Sequence, residues 1–177
     1  MQQGIDAYLG EDAIQVLYRR NMDIGELGRN DVRAGFFINE DRDLIGIADM
    51  LINVGRAERE HPAWDLQVGP RVYGALLSVE NQDIFSIALG GTLSYHLGRQ
   101  RSTWVSATAY YAPDITSFGN ADSVTDISLE IETPLTEATR IFAGYRWFRF
   151  DLAPQGNIDS SDRKVDEGVH VGISYRF

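Results

Sequence analysis

From Val169 to Phe177 the chain reads Val-His-Val-Gly-Ile-Ser-Tyr-Arg-Phe, and the alternation runs to its final residue. In an extended strand successive side chains point to opposite faces. Val169, Val171, Ile173, Tyr175 and Phe177 therefore form one wholly apolar face, and His170, Gly172, Ser174 and Arg176 form a small or polar one. Chain ends are ordinarily solvated and frayed, so an aromatic end on the apolar face needs apolar surroundings. Two readings are open: a strand whose greasy face meets hydrocarbon, and a half-buried strand of a soluble sheet.

No stretch of the sequence approaches the roughly 18 apolar residues of a membrane helix, so any crossing of a membrane falls to strands of about 9–11 residues. The net charge of -10 argues against a nucleic-acid partner, because non-specific binding rests on a basic surface. With no cysteine, disulfides and thiolate metal sites are excluded. The 177 residues fit a single domain spanning 1–177. Met1-Gln2-Gln3 leads straight into patterned sequence without a basic region and an apolar run, and the expectation is a Met added to a mature chain.

Alternation recurs along the chain. Ile5, Ala7 and Leu9 lead to Gly10-Glu11-Asp12, and Ile14, Val16 and Tyr18 follow it, which predicts an N-terminal hairpin over 1–20. Eight further strands are expected over 31–177. Val32 to Ile38, Leu44 to Val54, Trp64 to Leu76 and Phe85 to Leu97 come first, then Thr103 to Ala112, whose facing the pattern leaves open. Ile127 to Ile131, Ile141 to Trp147 and the terminal strand complete the set. Pro70 lacks a ladder donor, so a bulge or break is expected there. Loops are expected at Arg20 to Asn30, Pro113 to Asp122 and Asp151 to Asp166. Eight strands, or ten with the hairpin, are both even totals, which puts the two termini on one side of an up-and-down barrel.

The direction of the faces follows from bulk. The polar faces carry many small residues, as in Ser86 to Ser94 and Gly168 to Ser174; solvent imposes no such limit, whereas the inside of a narrow barrel does. The apolar faces carry Tyr18, Trp64, Tyr95, Tyr145, Trp147, Tyr175 and Phe177 near strand ends, where interfacial girdles sit. The expectation is a transmembrane antiparallel β-barrel of eight to ten strands, apolar side out. The competing arrangement is a soluble envelope barrel that binds an apolar ligand inside.

With that orientation Asp49, Arg71, His96, Asp126, Glu130, Glu132, Arg146 and His170 point into the lumen, and unpaired charge there is costly, so a pairing network is expected. Asp126 or Glu130 is placed across from Arg146. The same charges suit a plugged structural barrel or a narrow porin-like path for ions and small solutes. A lipid- or peptide-modifying enzyme is a further alternative, in which His96, His170 and Glu130/Glu132 serve a Ser-His-Glu triad or a metal site. No local motif supports it, so no catalytic residue, metal or cofactor is assigned. His61 beside Pro62 reads as a solvated turn residue. Asp159, Asp162, Asp166 and Glu167 form an acidic run without EF-hand spacing.

The C-terminal Phe177 with Tyr175 and Ile173 before it resembles the signal on the last strand of bacterial outer-membrane barrels, which implies the barrel-assembly machinery as a partner. Tyr-Tyr-Ala-Pro-Asp-Ile-Thr-Ser-Phe at 110–118, Ala-Gly-Tyr-Arg-Trp at 143–147 and Asp-Glu-Gly-Val-His-Val-Gly-Ile-Ser-Tyr-Arg-Phe at 166–177 stand in the order found in the YfaZ-like outer-membrane proteins. One departure is Glu167, which stands between Asp166 and Gly168. The resemblance implies a barrel in the outer membrane of a Gram-negative bacterium, a removed signal peptide, and contact with outer-membrane lipids including lipopolysaccharide. It brings no substrate or catalytic residue.

Overall fold

The computed structural model describes residues 3–23, 29–56, 64–78, 82–97, 102–119, 121–152 and 162–177. Where the sequence alternates, the backbone is extended. The strands are β1 (Gln3–Gly10), β2 (Ala13–Asp23), β3 (Arg29–Asn39), β4 (Leu44–Arg56), β5 (Trp64–Leu77), β6 (Gln82–Leu97) and β7 (Thr103–Ala112). The short β8 (Ser117–Gly119) follows, then β9 (Ala121–Pro134), β10 (Thr139–Leu152) and β11 (Asp162–Arg176). Each long strand pairs antiparallel with its neighbours, β5 with β6 and β1 with β11, which closes ten strands into a ring. The N-terminal hairpin supplies the closing partner: Ile5 lies opposite Tyr175 and Leu9 opposite Val171. The chain end is tied in too, since Phe177 N–H donates to the Gln3 carbonyl at 2.9 Å and Gln3 N–H to the Phe177 carbonyl at 3.2 Å.

The wall faces as the bulk argument requires. Leu129, Val171 and Ile173 stand outward and exposed, whereas Arg146 beside them in the sheet is 5% exposed. Val32, Ala34, Phe36 and Ile38 face out while Arg33, Gly35, Phe37 and Asn39 face in. A closed ring has no unpaired edge and satisfies its backbone internally, which hydrocarbon demands. Tyr18, Trp64, Tyr95, Tyr175 and Phe177 ring the end that carries the termini. Tyr145 departs from the expectation, since it lies mid-strand, opposite Leu129 and Val169.

In β7 the pattern left the facing open; Ser106, Tyr110 and Ala112 are buried, while Ala107, Ala109 and Tyr111 are exposed. Pro113 to Asp122 is not simply a loop. After a 3-10 turn at Asp114–Thr116, β8 pairs with Ile84 to Ser86 of β6, the part of that strand lying beyond the end of β7. Gly119 there has φ +86°, a conformation that costs glycine little. At Pro70 the ladder to β4 skips Gly69 and Pro70 but resumes in the same register, while pairing with β6 is continuous; the bulge itself lies between Asn53 and Gly55. The last loop is shorter than 151–166. Strand β10 runs to Leu152 and β11 starts at Asp162, with a bulge that leaves Val165 without a partner on β10. Its extra residue explains why Val165 and Asp166 are both buried. His61 and Asp159 lie outside the described residues.

Candidate functional site

The lumen is built in levels. Far from the termini, Phe37, Tyr73, Phe148 and Phe150 interlock, with ring centroids 5.3 Å apart for Tyr73 and Phe148, 5.2 Å for Phe148 and Phe150, and 6.1 Å for Phe37 and Phe148. Ile45, Ile47, Leu77, Ile84 and Val124 fill the space around them. These residues alternate with outward ones on their own strands, so the same period that builds the wall also builds the plug.

A belt of paired charge crosses the lumen next to the plug. Register sets its first part: Arg33 lies opposite Asp49, and Asp49 opposite Arg71. Arg33 Nε donates to Asp49 Oδ1 at 2.7 Å, and Arg71 Nε to Asp49 Oδ2 at 2.9 Å. Arg71 Nη1 then reaches across the barrel to Asp126 Oδ2 at 2.8 Å. Arg146 grips the same carboxylate with two donors, at 2.9 and 2.8 Å, and Tyr73 Oη donates to it at 2.8 Å. Such charge-assisted forks are among the stronger hydrogen bonds in proteins. Arg146 Nη1 also donates to Tyr8 Oη and Gln15 Oε1, both at 2.8 Å, and Tyr8 passes its own proton donor to Asp166 Oδ2 at 2.8 Å. The carboxylate facing Arg146 is thus Asp126, reached on the diagonal, since Arg146 is paired with Ser128.

Glu130 goes elsewhere. It lies opposite Gly144, which in turn lies opposite His170. Across that missing side chain His170 Nε2 and Glu130 Oε1 come to 3.2 Å. A Cβ on Gly144 would sit 2.7 Å from Glu130 Cγ and 3.0 Å from His170 Cε1, so glycine is what lets the pair meet. His170 is 2% exposed and packs on Tyr8 at 4.8 Å between centroids. Its Nδ1 has no hydrogen-bond partner among the described residues.

Toward the termini the lumen widens into a cavity of about 510 Å³, and a second space of about 80 Å³ adjoins the belt. Glu132 binds Arg140 and lies 3.6 Å from Arg176, Asp6 binds Arg19, and His96 meets Trp104 edge-on at 5.5 Å. His96 on β6 and His170 on β11 are four strands apart around the ring. They form no shared site, and no group of three metal-binding side chains occurs among the described residues. Sequence reasoning missed Tyr8, Arg19, Arg33, Trp104, Arg140 and Arg176. The parity that placed Asp49 and Glu132 inside also applied to Arg33 and Arg140.

A closed ring of ten antiparallel strands, greasy outside and charged along its axis, defines an integral β-barrel of the bacterial outer membrane. The outer membrane channel DcaP of Acinetobacter baumannii is similar over 97% of this chain and 54% of its own, with 9% identity and a TM-score of 0.48. The outer-membrane expressed OmpT of Vibrio cholerae is similar over 99% of this chain and 56% of its own, with 16% identity and a TM-score of 0.41. The chain spans about half the length of these two structures. No curated protein matches it. The family described as YfaZ precursor matches residues 39–177, and the chain belongs to that family.

Proposed function

We propose that the protein is a structural barrel of the outer membrane whose lumen is sealed at rest, with a polar vestibule at the end carrying the termini. The observation that carries this reading is the pairing of belt and plug. Arg71, Asp126 and Arg146 are each under 8% exposed and bond across the axis, and Phe148 and Phe150 are fully buried beside them. An ion that crosses the vestibule meets, at the belt, carboxylates and guanidiniums already satisfied by one another, and behind them a close-packed aromatic layer. Purified protein in a planar lipid bilayer is therefore expected to give no stepwise current. Steady open steps in the wild type would defeat the sealed reading and establish a narrow conduit instead. That second reading draws support from Asp6, Arg33 and Glu130, which line both cavities and so link the vestibule to the belt.

The enzymatic alternative has less behind it, since His170 is buried and Glu130 is its only hydrogen-bond partner among the described residues. The apolar exterior is suited to acyl chains, with lipopolysaccharide and other outer-membrane lipids as its surroundings. Ile173, Tyr175 and Phe177 face outward on the strand that closes the ring, which suits their reading by the barrel-assembly machinery. Phe177→Ala is expected to lower the heat-modifiable barrel recovered from outer membranes several-fold while leaving folding into detergent micelles unchanged. Equal loss in both settings would assign Phe177 to stability alone.

A further inference from the structure

The vestibule is electrically lopsided. On one side three guanidiniums, Arg19, Arg140 and Arg176, have ion pairs with two carboxylates, Asp6 and Glu132, while Glu130 on the same wall turns to His170. Arg140 is further fixed by donating to the Ser102 carbonyl at 2.6 Å and by lying 3.6 Å over the Trp104 ring, with Arg176 at 5.5 Å from the same ring. Each guanidinium has five N–H donors, and Arg19 Nε is buried with no hydrogen-bond partner among the described residues.

On β3, next to the strand that carries Arg19, and on β5 farther round the ring, the balance reverses. Asp31 accepts from Gln67 at 3.1 Å and Asp65 accepts from Asn53, both neutral amides. The nearby Arg33 is spent on Asp49, which it holds with two hydrogen bonds. Asp31 Oδ1 is buried with no hydrogen-bond partner among the described residues, and so is Oδ1 of Asp6, which is 6% exposed. Buried acceptors are ordinarily satisfied, so such atoms at a cavity wall point to something that fills it.

We propose that this cavity binds a small zwitterionic solute, its carboxylate or phosphate held by Arg176 beside Trp104 and its ammonium held by Asp31 and Asp65. At about 510 Å³ the space falls within the roughly 300–1,000 Å³ of small-molecule pockets. A two-signed pocket favours a dipolar ligand over either ion alone, because a lone anion leaves the acidic wall unpaired and a lone cation leaves the basic one so. The same chemistry occurs in free amino acids or short peptides and in soluble phosphoethanolamine groups, and both sources enter the test.

With Trp64→Phe and Trp147→Phe, which remove the two indoles outside the cavity, the emission of Trp104 reports occupancy in detergent-folded protein. Glycylglycine or O-phosphoethanolamine is expected to change that emission saturably, the tighter of the two identifying the source. Inorganic phosphate and putrescine should each bind at least about tenfold more weakly, and Arg176→Gln and Asp31→Asn should each weaken the zwitterion about tenfold, some 1.4 kcal/mol. Asp65→Asn serves if Asp31→Asn fails to give the heat-modifiable form. No saturable change, phosphate binding as tightly as the zwitterion, or indifference to the loss of the acidic wall would overturn the proposal. Because the readout is occupancy and not current, a conducting wild type would end the sealed-lumen reading and leave this result standing.

Discussion

Asp126→Ala is expected to destabilise the folded barrel by roughly 3–5 kcal/mol, the cost of removing one partner from a buried charge network. Asp126 is 2% exposed and accepts two donors from Arg146, one from Arg71 and one from Tyr73. Without it Arg71 keeps Asp49, but Arg146 keeps only the neutral oxygens of Tyr8 and Gln15. A guanidinium cannot escape by losing its proton, so the uncompensated charge remains or water must enter. A urea titration in liposomes, scored by heat-modifiable migration, should place the variant's transition at clearly lower urea. Glu167→Ala is the contrasting case: its partners Arg149 and Lys164 lie at the rim of β10 and β11, and a partly exposed pair there adds little. Equal transitions for Asp126→Ala and the wild type would mean that the belt does not hold the lumen together.

The exterior of the barrel was legible because it obeys one rule of period two, and the rule survives wherever one face is greasy and the other small. Spacing puts Val32, Ala34, Phe36 and Ile38 on one face, the small residues of the opposite faces turn that face outward, and outward is where it lies. The rule failed in β7, where both faces carry aromatics. Tyr110 is inside because Arg71 lies 3.8 Å over its ring, and Trp104 is inside because Arg140 covers it and the lumen is wide there. Neither partner is near in sequence. Of the inward set named from sequence, Asp49, Arg71, Asp126, Glu132, Arg146 and His170 are buried and His96 and Glu130 border the vestibule, but their grouping was not legible. Arg71 meets Asp126 across a stagger fixed by several strands, and Glu130 finds His170 only because Gly144 stands between them. Nor did alternation show that the aromatics of the inner face collect at one end, since period two carries no information about position along the axis.

Leu129→Lys tests the outward face at its most demanding point. Leu129 lies near the middle of β9, 57% exposed, between Ile127 and Ile131 along its strand and across from Tyr145 and Ala107 on its neighbours. Among the described residues no charged side chain lies directly opposite or two places along from Leu129 on that face. If hydrocarbon covers it, an ammonium there must be desolvated or must drag headgroups and water inward, and for lysine near the bilayer midplane that costs about 2–4 kcal/mol. Thr133→Lys, on the same face but next to the turn that follows Pro134, lets the long side chain reach the interface, where the cost falls to about 0–1 kcal/mol. The depth dependence is the discriminating quantity. A β-barrel standing in water would treat the two lysines alike, because replacing an exposed leucine by lysine at a water-facing site has no desolvation cost at all. Folding free energies in liposomes that are equal for Leu129→Lys and Thr133→Lys would therefore remove the lipid from the outside of this barrel, and with it the reason for its greasy wall.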